Sequence, residues 1–283
     1  MDKAKIQAAF TSAGLVRLEK DIDLIALDSI RVYATPVDDS TLPVGASKIG
    51  GAPDLPATTM WPEWNGIPQS FIAQIRLDDV HAIDTQGLLP SDGMLWFFYD
   101  AKQETYGENP SDSGGWRIFY AEHIPPLQRI PAPATLPSTS RFGACSLTYS
   151  VEITLDQQPQ LDIPNFDWTA EEQQKYEQLL ASFPSAEART TPPHHRLLGY
   201  PDTIQDDMRV QCELVSQGIT DTDDAHAAEL QKNANEWQLL LQIDTDERIG
   251  MRWASSGMLY FWIKRDDLRS RSFEHTWLIL QSE

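Results

Sequence analysis

The chain has 283 residues, and 42 acidic against 22 basic side chains give a formal charge of −20. Such a surface repels nucleic-acid backbones and anionic lipid heads, so neither nucleic acid nor a membrane surface is an expected partner; a basic protein partner is compatible with it, as is a charge that serves solubility alone. With 41% apolar residues and nine Trp, ten Phe and eight Tyr, the chain has ample material for a core, which excludes global disorder.

The two cysteines, Cys145 and Cys212, lie among apolar neighbours and form no C-x-x-C pair. They read as buried free thiols of a reducing compartment. The N-terminus lacks the apolar core and cleavage site of a signal peptide, and no apolar run approaches the roughly 20 residues that span a bilayer. A cytoplasmic protein is expected.

In chain order, Ile6, Ala9 and Phe10 are at helical spacing, and Gly14 is placed to stop a short amphipathic helix over residues 3–13. Ser29–Thr35 alternates and is β-branched, hence a strand, with Pro36 expected to end it. Val44–Pro68 is too rich in Gly and Pro for a helix or a central strand, and is expected to be an ordered loop pinned by Trp61 and Trp64. Strands follow at Ser70–Leu77 and Met94–Asp100, then an exposed polar loop at Ala101–Gly115, and strands at Trp116–Glu122 and Ser146–Leu155. Between the last two, Pro125–Pro137 carries five prolines and is expected to run extended.

Thr169–Phe183 reads as the longest helix. Thr169 is its N-cap, Glu172 is at capping-box spacing, Tyr176, Leu179, Leu180 and Phe183 form the inward stripe, and Pro184 stops it. A linker is expected up to Pro193. Asp207–Ser216 is compatible with either a helix or a strand. Asp224–Asn235 reads as helical, Trp237–Lys264 as two buried strands, Asp266–Arg269 as a short helix and Thr276–Gln281 as a last strand.

Three features occur twice in the same order. Gly51-x-Pro53-Asp54 matches Gly199-x-Pro201-Asp202, Ala73-Gln74-Ile75 matches Leu241-Gln242-Ile243, and a Gly-Met-Leu strand of aromatics follows each. This predicts an internal duplication of a β-rich module. Residues 1–160 would form the first half with its N-terminal helix, and 161–283 the second, packed as one compact unit. Strands do not alternate regularly with helices, so the expected fold is α+β, mostly antiparallel sheet with covering helices, rather than a doubly wound parallel sheet.

The same motifs carry a family resemblance. SKIGG-x-P-x-LP, WP, AQI, G-x-L-x-FF, H-x-LLGYPD-x-IQ, WQLLLQIDTDE, M-x-W and G-x-LYFWI, over about residues 45 to 281, resemble the bacterial YwqG-like family, also described as DUF1963, a domain of unknown function. The resemblance implies an α+β fold, brings no catalytic residue or cofactor, and raises an immunity-like role near toxin genes by analogy. After Met251-x-Trp253, relatives tend to carry Gly-Asp where this chain has Ala254-Ser255-Ser256. Any chemistry done by that acid in relatives would be missing here.

Catalytic signatures are sparse. G-x-S-x-G, the P-loop and G-x-G-x-x-G are absent, so no nucleophile elbow or nucleotide cofactor is expected. His194-His195 point to opposite sides if extended and make a poor metal pair, one of them being expected to bond the Gly199-Tyr200 loop and the other to be solvated. The acids at 221–224 and 244–247 lack the glycine and distal Glu of an EF-hand loop and read as solvated turn carboxylates, so no metal is expected.

Gln74 and Gln242 are polar amides in apolar strands, and each is expected to hold its own half's Gly-x-Pro-Asp loop, or else to line a cleft between the halves. A non-enzymatic protein-binding module is the first expectation. The alternative is a hydrolase or carbohydrate-active enzyme, with Trp61, Trp64 and Trp116 stacking on sugar and Asp54 and Asp202 as the carboxylate pair.

Overall fold

The computed structural model describes residues 3–183, 193–221 and 226–283. Ten strands form one sheet, in the order β14-β13-β12-β11-β1-β10-β2-β6-β7-β8, and its neighbours pair antiparallel throughout. The strands are β1 (Ala26–Val37), β2 (Lys48–Ile49), β6 (Ser70–Arg76), β7 (Met94–Tyr99), β8 (Trp116–Ala121), β10 (Ala144–Leu155), β11 (His195–Leu197), β12 (Trp237–Asp244), β13 (Gly257–Lys264) and β14 (Trp277–Ser282). Two short ladders lie outside it, β3 (Asp54–Pro56) with β9 (Leu127–Arg129), and β4 (Glu63–Trp64) with β5 (Ile67–Pro68).

The two long strands β1 and β10 pair over their full lengths at the middle of the sheet. On one side stand β2-β6-β7-β8, on the other β11-β12-β13-β14. Each wing begins with a strand of two or three residues, followed by a long apolar one. Each long strand carries a register shift just before its Gln, between Phe71 and Ala73 in β6 and between Leu239 and Leu241 in β12.

The sheet is strongly curled. β7 and β13 stand seven places apart in strand order, roughly 34 Å in a flat sheet, yet the rings of Phe97 and Phe261 meet at 5.1 Å. The Trp116 and Trp277 rings meet edge to face at 5.0 Å, and the Trp116 indole donates to the Thr276 carbonyl at 2.7 Å. The main core fills the inside of this curve with apolar side chains from both wings. The sheet's outer edge at β14 is covered by the 101–115 loop, where the Leu280 N–H donates to the Tyr106 carbonyl at 3.1 Å. Edge strands left open invite pairing with other chains, and this contact blunts one.

A second core lies outside the curve. It packs α1 (Lys3–Ser12), α2 (Ile22–Ile25) and α4 (Ala170–Ser182) around Phe10, Leu18, Leu155 and Tyr176. Thr169 caps α4 through a complete capping box with Glu172. The other α-helices among the described residues are α3 (Asp78–His81), α5 (Arg209–Ser216), α6 (Ala227–Leu230) and α7 (Arg265–Ser270). The undecided segment around Asp207–Ser216 is therefore helical.

Several expectations need correction. β1 runs through Pro36 to Val37, because at that level it is flanked by β10 while β11 reaches only Ile30–Val32, and a missing N–H is tolerated at such an edge. Within the Gly- and Pro-rich loop, Lys48–Ile49 does form a central strand, bonded to β10 and β6. Two residues with no proline among them suffice to bridge the sheet. The 101–115 loop is polar but not free, with Ala101, Thr105 and Gly107 buried beneath it. Pro184, most of the linker before Pro193, and Asp223 and Asp224 lie outside the described residues.

Candidate functional site

Gln74 is fully buried on the outer face of β6, under the loop that carries Gly51, Pro53 and Asp54. Its carbonyl oxygen accepts the Asp54 backbone N–H at 2.8 Å. Its amide nitrogen donates to the Ala46 carbonyl at 2.7 Å and to Asp54 Oδ2 at 2.9 Å. The Asp54 carbonyl in turn accepts the Trp96 indole N–H at 2.7 Å, from the residue directly opposite Gln74 on β7.

Gln242 repeats this set on β12. Its carbonyl accepts the Asp202 N–H at 2.8 Å, and its amide donates to the His194 carbonyl at 2.8 Å and to Asp202 Oδ2 at 3.0 Å. The Asp202 carbonyl accepts from the Tyr260 hydroxyl at 2.6 Å, and Tyr260 stands opposite Gln242 on β13. Both amides therefore satisfy backbone groups of the loops that cover them, which is what a buried amide requires.

The two carboxylates are neutralised in place. Asp54 faces Arg129 Nε at 2.9 Å and Lys48 Nζ at 3.5 Å, and accepts the Gly45 N–H at 3.0 Å. Burial raises its pKa, but Arg129, the Gly45 N–H, the Gln74 amide and Lys48 outweigh it and hold the group below the usual carboxylate range. Asp202 faces Arg196 Nη2 at 3.1 Å and bonds His194 Nδ1. Lys48 pairs with Gln74 across the ladder as Arg196 pairs with Gln242. Each basic residue stands six positions before its aspartate in the sequence. That shared spacing was a signal available to sequence reasoning and was missed.

Trp61 is half-buried, its indole N–H donating to the Gln69 carbonyl at 2.9 Å and its ring set edge-on to Phe98 at 5.5 Å. Trp64, also half-buried, packs so close to Gly114 that a Cβ there would lie 2.6 Å from its ring. Trp116 is buried in the seam with Trp277. The thiols of Cys145 and Cys212 are both raised by burial, Cys145 to about 12.

Both histidines are buried, which corrects the expectation of a solvated one. His195 Nδ1 accepts the Asp244 N–H at 3.0 Å, and burial lowers its pKa to about 3, so the ring is neutral with its proton on Nε2. Asp244 and Asp246 are not solvated turn carboxylates either. Asp244 is buried, accepts the His194 N–H at 2.7 Å and is pushed up to about 6 by burial. Asp246 grips Arg248 at 2.7 Å. Among the described residues, no group of three His, Cys, Asp or Glu side chains is arranged to hold a metal ion.

The family model described as Domain of unknown function (DUF1963) matches residues 47–282, which include both glutamines, both aspartates and both wings of the sheet. The chain belongs to the DUF1963 family. The matched DUF1963 region begins after β1, although β1 lies at the middle of the sheet. No curated protein matches the chain. No described helix of this DUF1963 member is long and apolar enough to cross a membrane.

Proposed function

We propose that this DUF1963 protein is a non-enzymatic, cytoplasmic protein-binding module, immunity-like toward a bacterial toxin, and that its partner is basic. The observation that carries the reading is the occupancy of its polar groups. Asp54 and Asp202 are each committed to a backbone loop, an amide and a cation of their own half. Neither thiol is ionised near neutral pH. The net charge of −20 steers basic proteins toward the surface and repels nucleic acid. Affinity capture with the purified chain at low salt, followed by light scattering, tests this. A stoichiometric basic partner released by salt supports it. A partner that is acidic, or none in extracts holding the products of neighbouring genes, overturns it.

We also infer that the sheet arose by doubling of a β-rich module, residues 1–160 and 161–283. The matching bonds of Gln74 and Gln242, the matching register shifts and the mirrored strand order support it.

A second reading, a hydrolase or carbohydrate-active enzyme, is favoured by a groove of about 420 Å³ on the β12–β14 side of the sheet, lined by Trp237, Lys264, Asp267, Glu274 and Trp277, with Ser113 of the 101–115 loop at its rim. Asp54 and Asp202 are not in its lining, so any carboxylate pair there would be Asp267 and Glu274. Turnover of a glycoside or ester panel that disappears in Glu274→Gln would establish this reading over the first.

A further inference from the structure

Next to the two glutamines the wings differ. On the first wing Phe71 and Phe98 pair across the ladder just beyond the register shift, and on the second wing Leu239 and Trp262 hold that place. Phe98 and Trp262 each stand two residues beyond the one that faces the glutamine, so each shares the glutamine's side of its sheet. The first wing covers this place with its own Trp61, whose ring stands edge-on to Phe98 at 5.5 Å and whose indole N–H donates to the Gln69 carbonyl. On the second wing a crevice with about 30 Å³ of free space opens there, lined by Leu239 and Trp262 and walled by Tyr200 and Trp237.

Of the three rings, two have spent their polar groups. The Tyr200 hydroxyl donates to the Leu24 carbonyl at 2.6 Å, and the Trp237 indole N–H to Glu213 Oε2 at 2.8 Å. The Trp262 indole is 1% exposed, and its N–H finds no acceptor among the described residues. A buried donor left unpaired is costly, so the crevice favours a guest that brings an acceptor. Charge decides against an anionic guest. Arg209 lines the crevice but is held by Asp156 at 2.7 Å, Asp162 at 2.5 Å and Asp207 at 2.9 Å. Arg265 is the other cation of the lining, so two guanidiniums stand against three carboxylates. Free space of this size holds about one or two waters, and a ring enters as the rim yields. Asn235 and Arg265 on that rim are exposed side chains, free to swing aside.

We propose that this crevice binds a small, neutral, planar heterocycle, which takes on the second wing the place Trp61 takes on the first and accepts the Trp262 N–H through a ring atom or an exocyclic carbonyl. Tyr200, Trp237 and Trp262 supply the aromatic surface that such a ring packs on. The amides of Gln86, Asn235 and Gln238 at the mouth both donate and accept, which suits the polar edge of a heterocycle. A free nucleobase has this chemistry, whereas the phosphate of a nucleotide would meet the surplus carboxylate. The matched ladder positions hold whatever the origin of the two wings, and binding here does not depend on the basic partner proposed above.

The probes are 7-azaindole and indole, which share a shape and differ by one acceptor nitrogen. The proton–nitrogen spectrum of the whole isotope-labelled chain displays the indole N–H resonances, and Trp262→Phe identifies the one that belongs to Trp262. Added 7-azaindole should shift that resonance saturably and bind about tenfold more tightly than indole, the scale of one hydrogen bond. In Trp262→Phe the preference should vanish. Should that variant fail to fold, Leu88→Trp fills the crevice from a half-buried lining position and should abolish binding of both probes in calorimetry. No saturable shift with either probe, equal affinity for the two, or binding that survives Leu88→Trp would overturn the proposal.

Discussion

Gln74 and Asp54 exchange two hydrogen bonds, backbone N–H to amide carbonyl at 2.8 Å and amide N–H to carboxylate at 2.9 Å, so one side chain grips both the main chain and the charge of its loop. Gln242 and Asp202 do the same. Replacing either glutamine with Leu keeps the apolar volume but strands a buried N–H and a buried carbonyl. Each such group costs about 1–3 kcal/mol, so Gln74→Leu and Gln242→Leu should each lose about 2–6 kcal/mol in urea unfolding. The two sites share no partner, and the double variant should be nearly additive. An unchanged midpoint would count against the clamp.

Arg129 lies opposite Asp54 in the β3–β9 ladder and is the strongest of the groups holding that carboxyl low. A depressed folded pKa contributes stability present above the unfolded value, about 3.9, and lost as pH falls through the folded one. Arg129→Met should cost about 3 kcal/mol at neutral pH, by leaving a buried charge with Lys48 alone. The deficit should shrink below about pH 4, where Asp54 protonates in the unfolded chain as well. A pH-independent deficit would assign the loss to packing instead.

Cys145 and Cys212 are buried and their thiols are raised by burial. A disulfide reagent at mildly alkaline pH should leave both unlabelled in the native chain and modify both promptly in denaturant. Fast native labelling of either one would contradict their burial and reopen a nucleophilic role.

Gly107 closes the seam over β14. Its φ is +78°, and a Cβ there would lie 1.8 Å from the Leu278 carbonyl oxygen. Gly107→Ala combines backbone strain with a backbone clash and should destabilise by about 2–4 kcal/mol. Gly87, also at positive φ but with open space around it, is the control, and Gly87→Ala should cost less, about 1 kcal/mol.

Local features were legible without coordinates. The Thr169–Glu172 box spans three residues, so its geometry follows from helix entry alone. The apolar runs at Gln69–Ile75 and Trp237–Ile243 could only be buried strands, and an amide inside each demanded a partner close by. The repeated Gly-x-Pro-Asp supplied that partner, and the structure places Asp54 and Asp202 there. Trp61 and Trp64, the expected pins of their loop, are both half-buried, Trp61 against Phe98 and Trp64 against Gly114.

The amino-acid order by itself determined the long apolar strands and where the long helix begins, and it left each glutamine between its own Gly-x-Pro-Asp loop and a cleft, because those readings depend on residues near in sequence or on a pattern seen twice. Tertiary structure alone decided that Lys48–Ile49 joins the sheet, that His194, Asp244 and Asp246 are buried, and that Arg209 gathers Asp156, Asp162 and Asp207. The reason is that burial of a charge depends on which distant cation reaches it. Arg209 and Asp156 are 53 residues apart, and only the folded chain brings such groups together.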